Sequence, residues 1–245
     1  LSSLPPTSAG NKTSMSAELY IGLMSGTSMD GVDAALVRFD GDAIELVESH
    51  NHPWPKPLLD NLRRLAEQGS ASLNELGQLD AASGEQFAQA ASALLDKADI
   101  PPDAVNAIGS HGQTLAHGPD TAHPYSLQIG DPNRIAEQTG ITTVADFRRR
   151  DIAAGGQGAP LVPAFHEAYL RTTEESRVVL NIGGIANITL LPADAGKPTH
   201  GFDTGPGNCL MDRWIELHRG QPFDVGGMWA AEGQLNTELL WQLLD

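Results

Sequence analysis

Residues 19–37 have the sequence LYIGLMSGTSMDGVDAALV, in which an apolar run is followed by a short polar turn and then by a run that alternates apolar with polar residues. Asp-Gly between two such runs is the strongest short-range signal of a β-hairpin, because glycine adopts the positive φ that the turn requires. We therefore predict a strand, a turn that includes Asp30 and Gly31, and a second strand.

The turn of this hairpin also has the composition of an anion site. Gly26 and Gly31 let the backbone approach a ligand closely, and consecutive N–H groups can surround an anion. Thr27 and Ser28 add hydroxyl donors, and Asp30 is a candidate ligand for Mg²⁺, directly or through water. An ordinary surface hairpin explains the same residues, so phosphate binding and plain turn chemistry are both open on this stretch alone.

A second hairpin of the same kind is predicted further along the chain. Residues 177–182 form an apolar run, Gly183 and Gly184 form the turn, and residues 185–191 form the partner strand. Two glycine-turned hairpins, one in each half of the chain, favour a clamp that holds a polyphosphate from both sides. That is the nucleotide-binding plan of the actin-like ATPase and sugar-kinase superfamily, and it differs from the Walker loop, whose Gly-Lys-Ser/Thr signature is absent.

Length and charge exclude several classes of function. The 245 residues can form one large domain or two smaller ones, and the net charge is −16. So acidic a chain argues against nucleic-acid and anionic-membrane partners, although a local arginine cluster leaves an anionic substrate open. No apolar run approaches the length of a membrane span, the start does not resemble a secretory signal, and the single Cys209 fits a reducing cytoplasm.

The first part of the chain is predicted to be scaffold apart from the hairpin. Residues 1–17 have the composition of a disordered lead, and residues 43–48 alternate like a third strand that ends before His50 and His52. The His-x-His spacing is weak evidence for a metal, because no cysteine or carboxylate partner stands at ligand spacing.

Helical spacing follows in two segments. Residues 57–68 and 72–98 place leucines on one side, from Leu73 onward in the second segment, and we predict that this stripe is core. Ser72 followed by Glu75 predicts a capping box at the start of the second helix.

A polar segment follows the next predicted strand, residues 104–109. Open α/β sheets bind ligands at the carboxyl ends of their strands, so the loop after this strand, with His111, Gln113 and Thr114, is a candidate site. His111 and Gln113 are candidates for binding sugar hydroxyls. A histidine that is satisfied within its own loop is the open alternative for His111.

Three consecutive arginines, residues 148–150, precede a glycine-rich loop. Arginine binds a carboxylate or a phosphate through forked hydrogen bonds, so an anionic ligand is predicted here. Local pairing with Asp146 and Asp151 is the alternative, and we expect at least one arginine to be used in this way.

Asp203 stands at the predicted end of a strand, before a Gly-Pro-Gly loop and an amphipathic helix. A carboxylate exposed at that place suits a general base. The alternative is the more common use of aspartate as a turn former or helix cap.

Taken together, these segments resemble the anhydro-N-acetylmuramic acid kinase family, in the sugar-kinase branch of the actin-like superfamily. The resemblance is carried by residues 21–33, 109–114, 145–166, 181–184 and 201–212. Met29 stands where the family more often has leucine. The blocks 146–166 and 202–208 are highly specific in combination, and the resemblance spans the chain from about Tyr20 to its end.

The resemblance implies an α/β, actin-like ATPase (ribonuclease H-like) two-domain sugar-kinase fold. The N-terminal domain would span residues 18–145 and include the first hairpin. Residues 146–245 would form the first part of the second domain, whose remainder is absent after Asp245.

The resemblance also implies a reaction. With ATP and Mg²⁺, the enzyme would hydrolytically open the 1,6-anhydro ring of anhydro-N-acetylmuramic acid and phosphorylate O6, giving N-acetylmuramic acid 6-phosphate in cell-wall murein recycling. A cytoplasmic enzyme, dimerising with itself and lacking nucleic-acid or membrane partners, is expected. A kinase of another anhydro-sugar and a non-catalytic sugar- or nucleotide-binding fragment are the alternatives.

The roles of individual residues follow from the same resemblance. Asp203 would activate the attacking water, and Asp30 would lie near Mg²⁺. The residues that would bind ATP are Gly26, Thr27, Ser28, Met29, Asp30, Gly31, Val32, Asp33, Gly183 and Gly184. Those that would bind the sugar are His111, Gln113, Thr114, Arg148, Arg150 and Asp151, with the arginines serving its lactyl carboxylate.

Overall fold

The computed structural model describes residues 17–41 and 43–244, so the predicted disordered lead lies outside the described residues except for Ala17. The chain divides into two compact units, of which the first ends at Gly158 and the second begins at Ala159. The sequence places this division after Ala145.

The first unit is built around a mixed sheet with the strand order β3-β2-β1-β4-β5, and β6 pairs in parallel with β4. Its strands are β1 (Glu18–Ser25), β2 (Val32–Asp40), β3 (Ala43–His52), β4 (Val105–Gly118), β5 (Tyr125–Ile129) and β6 (Thr143–Ala145). Its helices are α1 (Lys56–Gln68), α2 (Leu73–Ala98), α3 (Pro132–Thr139) and α4 (Phe147–Ala153), with a 3-10 turn at Pro102–Ala104. Strands β1 and β2 pair antiparallel, which confirms the first predicted hairpin.

Alternation along β1 and β2 separates a buried face from an open one. Ile21 and Leu23 of β1 and Leu36 of β2 are almost fully buried, and they share a core with α1 and α2. Trp54 and Phe87 meet edge to face in this core, with ring centroids 5.9 Å apart. Because successive side chains of a strand point to opposite faces, Gly22 and Met24 of β1 lie on the other side of the sheet.

Helix α2 begins as predicted but buries less of its stripe. The N–H of Glu75 donates to Ser72 Oγ at 3.1 Å, whereas the Glu75 carboxylate pairs with Arg64, so only half of the predicted capping box is formed. Leu73 is 89% exposed, and the prediction that it belongs to the core is wrong. It lies in the first turn of the helix, and the buried part of the stripe starts at Leu79.

Two strands run further than predicted. Strand β3 continues to His52, since its ladder with β2 extends past a register shift between Leu36 and Val37 as far as the Val32–His52 pair. The predicted end before His50 is therefore wrong. Strand β4 continues to Gly118 because its second half pairs with β5, so Ser110–Thr114 lie within a strand and the prediction of a loop there is wrong.

The second unit contains a three-stranded antiparallel sheet in the order β7-β8-β9. Its strands are β7 (Arg177–Ile182), β8 (Ile185–Leu191) and β9 (His200–Pro206), and its helices are α5 (Pro163–Leu170), α6 (Cys209–Arg219), α7 (Met228–Ala231) and α8 (Thr237–Leu244), with a 3-10 turn at Val225–Gly227. The second predicted hairpin is confirmed. Helix α8 starts at Thr237, where the Asn236 side chain accepts the Leu239 N–H.

Within the described ranges, no helix has both the length and the apolar character needed to cross a membrane. The same residues contain no cluster of three or more His, Cys, Asp or Glu side chains that could hold a metal ion, including the surroundings of His50 and His52.

Candidate active site

The turn between β1 and β2 is anchored by an apolar side chain. The Met29 N–H donates to the Gly26 carbonyl at 3.2 Å, which closes the turn. Met29 itself has a φ of 52° and is only 4% exposed, so its side chain is held in the core although its backbone is in the left-handed region. Val32 is fully buried in the same core, so its side chain is not available to a ligand.

Side chains below the turn hold two of its carbonyl groups. Ser25 Oγ is buried and donates to Gly31 O at 2.8 Å, while Trp54 Nε1 donates to Ser25 Oγ at 3.3 Å. From β4, Gln113 Nε2 donates to Gly26 O at 3.3 Å. These bonds fix the ends of the turn from the protein side, and Thr27 and Ser28 are exposed between them.

Two exposed carboxylates flank the turn. Asp30 Oδ1 accepts from Ser28 Oγ at 3.1 Å, and Asp33 Oδ1 accepts from Asn51 Nδ2 at 2.9 Å. The Asn51 side chain also lies across Gly31, where an added Cβ would come within 2.6 Å of it. Hydroxyl and carboxylate oxygens are ligands that Mg²⁺ prefers, so the exposed Asp30 carboxylate beside Ser28 fits the predicted ion.

His111 and Arg148, which the sequence predicts as two separate sugar-binding groups, are in direct contact. Arg148 Nε donates to His111 Nε2 at 2.8 Å, and His111 Nδ1 lies 2.8 Å from the Gly112 carbonyl oxygen. Burial lowers the pKa of His111, the hydrogen bond to Gly112 opposes this, and the charge of Arg148 lowers the pKa further. Both burial and the charge of Arg148 thus favour the neutral imidazole over its cation.

Gln113 and Thr114, the other two residues of β4 predicted to bind the sugar, make side-chain hydrogen bonds within the protein. Gln113 is fully buried, and its amide also donates to the Thr114 carbonyl at 3.1 Å. Thr114 Oγ1 accepts from Gln128 Nε2 at 3.1 Å. In this structure both side chains hold the frame of the site.

Local pairing accounts for part of the arginine and aspartate block. Arg149 Nε donates to Asp146 Oδ1 at 2.6 Å, and this partner raises the pKa of Arg149. Asp151 Oδ2 accepts the Gly158 N–H at 2.7 Å and folds the glycine-rich loop onto α4. Arg150 is exposed on α4, so each member of the block has a different environment.

A groove of about 580 Å³ lies in the first unit. Among the residues that line it are Gly22, Met24, Asp33, Asn51, His111 and Phe147. The groove therefore extends from the Asp33 carboxylate, beside the first turn, to the His111 imidazole that accepts the hydrogen bond from Arg148.

The second glycine turn is held by backbone donors. The Gly207 N–H donates to Gly184 O at 2.9 Å, and the Asn208 N–H donates to Gly183 O at 2.8 Å. A Cβ at Gly207 would overlap the Gly183 carbonyl oxygen, so the loop after β9 needs glycine for this close approach.

Asp203 lies within β9, opposite Asn187 of β8, and its side chain is exposed. Strand β9 runs on to Pro206, so the prediction that Asp203 ends a strand is wrong. The helix-cap alternative does not apply either, since Asn208 is the N-cap residue of α6. Asp203 and the Gly183-Gly184 turn lie toward the same end of the second sheet.

The supporting residues were not predicted from the sequence. Ser25 lies within the first hairpin but was given no role of its own, Trp54 stands between two prolines outside any motif, and Asn51 belongs to the segment in which β3 was expected to have ended. A longer β3 would have placed Asn51 opposite Asp33, because the antiparallel register pairs these two residues.

The fold and these turns define an α/β protein with two glycine-turned hairpins and an exposed acid on the second sheet. Residues 18–245 match the sequence profile of the family described as anhydro-N-acetylmuramic acid kinase. The chain belongs to this family. The two sheets and the helices between their strands confirm the predicted α/β class.

Relatives of known name agree with this assignment. The anhydro-N-acetylmuramic acid kinase of Shewanella halifaxensis (strain HAW-EB4) is 55% identical over 231 residues, which is 94% of this chain and 62% of the relative. That of Coxiella burnetii (strain RSA 493 / Nine Mile phase I) is 54% identical over 230 residues, or 94% of this chain and 61% of the relative. The chain thus spans about three fifths of the length of these relatives.

Proposed function

We propose that the protein acts as an ATP-dependent kinase of anhydro-N-acetylmuramic acid. It opens the 1,6-anhydro ring with water and phosphorylates O6, and the product is N-acetylmuramic acid 6-phosphate in murein recycling. The observation that carries the proposal is the family match over residues 18–245, together with relatives at 54–55% identity that are named for this kinase. Dimerisation and a cytoplasmic location, without nucleic-acid or membrane partners, belong to the same proposal.

The first turn is proposed to bind the ATP phosphates. Its glycine backbone and the exposed hydroxyls of Thr27 and Ser28 provide donors, while the side chains below the turn keep it in one conformation. When bound beside Asp30, Mg²⁺ supplies positive charge that neutralises the transferring phosphoryl group. Gly183 and Gly184 are proposed as further phosphate contacts.

Asp203 is proposed as the general base. Its carboxylate takes a proton from the water whose oxygen forms a bond to the anomeric carbon, and the bond from that carbon to O6 breaks. O6 then forms its bond to the γ-phosphorus of ATP, and ADP leaves. The exposed position of Asp203 on β9 supports this role, because a base must reach the proton that it removes.

The arginines of α4 are proposed to bind the lactyl carboxylate. Arg148 is half-buried and held by His111, while Arg150 is exposed on the same helix. Arginine suits this ligand because its planar guanidinium binds a carboxylate through paired hydrogen bonds. Gln113, Thr114 and Asp151 act in this proposal through the backbone segments that they hold.

The test combines the protein, Mg-ATP and the anhydro-sugar, and follows the 6-phosphate by mass spectrometry. We expect Asp203→Asn to lower turnover by about 10²- to 10⁴-fold, the usual contribution of a general base, while sugar binding by calorimetry is retained. Asp194→Asn is the matched control, since Asp194 is exposed in the same unit and its Oδ1 accepts a backbone N–H that an asparagine oxygen can also accept.

The other outcomes distinguish the alternatives. Turnover of Asp203→Asn at the parental rate would show that the base is a different residue. Phosphorylation of an anhydro-sugar without the lactyl group, in preference to anhydro-N-acetylmuramic acid, would identify a kinase of another sugar. Sugar binding without turnover by the parent protein would favour a non-catalytic binding role.

A further inference from the structure

The ring of His111 is fixed by two partners of opposite kind. An arginine Nε–H only donates, so His111 Nε2 is the acceptor of the 2.8 Å bond from Arg148. The ring proton therefore sits on Nδ1, from which it is donated to the Gly112 carbonyl oxygen, also at 2.8 Å. Both nitrogens of the neutral imidazole are used within the protein.

A bulge in β4 sets the place of this ring. The parallel pairing with β1 passes from the Leu23–Ser110 pair to the Ser25–Gln113 pair, so β4 carries one extra residue here. Gly112 has a φ of 77°, and an added Cβ would come within 2.6 Å of Ile129 O. Bulges re-aim the side chains beside them, and this one turns His111 toward α4.

We propose that His111 is a positioning residue, whose Nδ1–H tautomer holds the Arg148 guanidinium in the orientation that binds the carboxylate of the anionic sugar. The proposal rests on the proposed function, because that carboxylate is the ligand assigned to Arg148. A proton on Nε2 removes the acceptor and places two cations side by side. Affinity for the carboxylate-bearing sugar is then lost in acid, whereas affinity for a neutral analogue is unchanged.

The charged surroundings of His111 support a local effect. Arg148 is the charge that contributes to the shift of its pKa, and burial makes the largest contribution. On α4, Arg149 is paired with Asp146, and Asp151 is bonded to Gly158. Of the residues that line the groove with His111, the titratable ones on other elements are Asp33 on β2, His50 on β3 and Lys97 on α2. The strands paired with β4 carry Glu18 and Tyr20 on β1 and Tyr125 on β5.

The first arm of the experiment needs no sugar. Long-range ¹H–¹⁵N NMR of the imidazoles in the full chain should show His111 with its proton on Nδ1. In Arg148→Gln the pKa of His111 should rise, because a cationic neighbour has been removed. A proton on Nε2, or a pKa that is unchanged in Arg148→Gln, would overturn the proposal.

The second arm measures sugar binding by calorimetry from about pH 8 down to about pH 4.5, because the pKa of His111 lies below the ordinary histidine value of about 6.5. His111→Leu should weaken binding of anhydro-N-acetylmuramic acid by about tenfold, as expected when one charge-assisted hydrogen bond is misdirected. Binding of the analogue without the lactyl group should not change. His111→Gln should keep most of the parental affinity, because the glutamine oxygen can accept from Arg148, and its affinity should no longer fall in acid.

His123→Gln is the matched control, since His123 lies exposed in the loop between β4 and β5. Equal affinity of His111→Leu and the parent for the carboxylate-bearing sugar would refute the proposal, as would an acid loss that persists in His111→Gln. If the parent binds neither sugar, the proposed function fails, and the tautomer and pKa of His111 still decide whether this residue holds Arg148.

Discussion

Both turns contain two glycines between paired strands, but they are held in different ways. In the first turn, side chains from neighbouring strands hold the carbonyls, since Ser25 donates to Gly31 and Gln113 donates to Gly26. In the second, the carbonyls of Gly183 and Gly184 accept backbone N–H groups from the loop after β9. The first turn therefore depends on particular side chains, and the second depends on the path of the backbone.

The units around the two turns also differ in how far their apolar side chains are buried. In the first unit, apolar residues of the strands are buried under α1 and α2. Leu36 of β2, for example, is 0% exposed. In the second, Val178, Leu180 and Ile182 of β7 are 58–63% exposed, and Trp214 of α6 is 60% exposed. The hydrophobic contribution to the free energy of unfolding is roughly proportional to the apolar area removed from water. Most of the stability should therefore come from the first unit.

The largest expected effect contrasts a core aromatic with an exposed one. Phe87→Ala removes a fully buried ring and should lower the free energy of unfolding of the first unit by about 3–5 kcal/mol. Trp214→Ala in the second unit should change stability by less than about 0.5 kcal/mol, as expected for an exposed site. Hydrogen exchange with mass spectrometry measures both, because it follows α2 and α6 separately. A cost for Trp214→Ala equal to that of Phe87→Ala would remove the contrast between the units.

The next prediction concerns the backbone approach at the second turn. Gly207→Ala introduces a Cβ that overlaps Gly183 O, and it should lower the free energy of unfolding of the second unit by about 1–3 kcal/mol, the usual cost of overpacking. Gly183→Ala is the control, because its Cβ would be in ordinary contact at 3.6 Å from Ile185 O. Exchange rates of the amides at 207–209 report the effect, and equal protection in the two variants would contradict it.

The last prediction, with an expected effect no larger than that of Gly207→Ala, concerns the first turn. Ser25→Ala removes the buried donor to Gly31 O and should cost about 1–3 kcal/mol, since a carbonyl is left without its partner. Ser28→Ala, at an exposed hydroxyl of the same turn, should stay within about 0.5 kcal/mol. Urea unfolding followed at the first unit measures both, and Mg-ATP titration should show the opposite order if Ser28 contacts phosphate directly. A larger loss of stability for Ser28→Ala would show that the turn is held from its solvent side.

Local patterns in the sequence were sufficient for the hairpins and most helices. Asp30-Gly31 and Gly183-Gly184 each separate two strand-like runs, and both hairpins are confirmed. The extensions of β3 to His52 and of β4 to Gly118 were not predicted, because each depends on a partner strand that continues the ladder. Strand ends are set by pairing between segments, which local alternation does not report.

By itself, the sequence determined the family, the α/β class, the two glycine turns and the acidic and basic residues near them, since composition and spacing along the chain carry those features. Only the tertiary structure decided what each side chain does. Gln113 turned out to be buried beneath the first turn, His111 to hold Arg148, and Asp151 to close its own loop. These roles arise from contacts between elements brought together by folding, and a polar residue type is compatible with several such contacts until its neighbours in space are known.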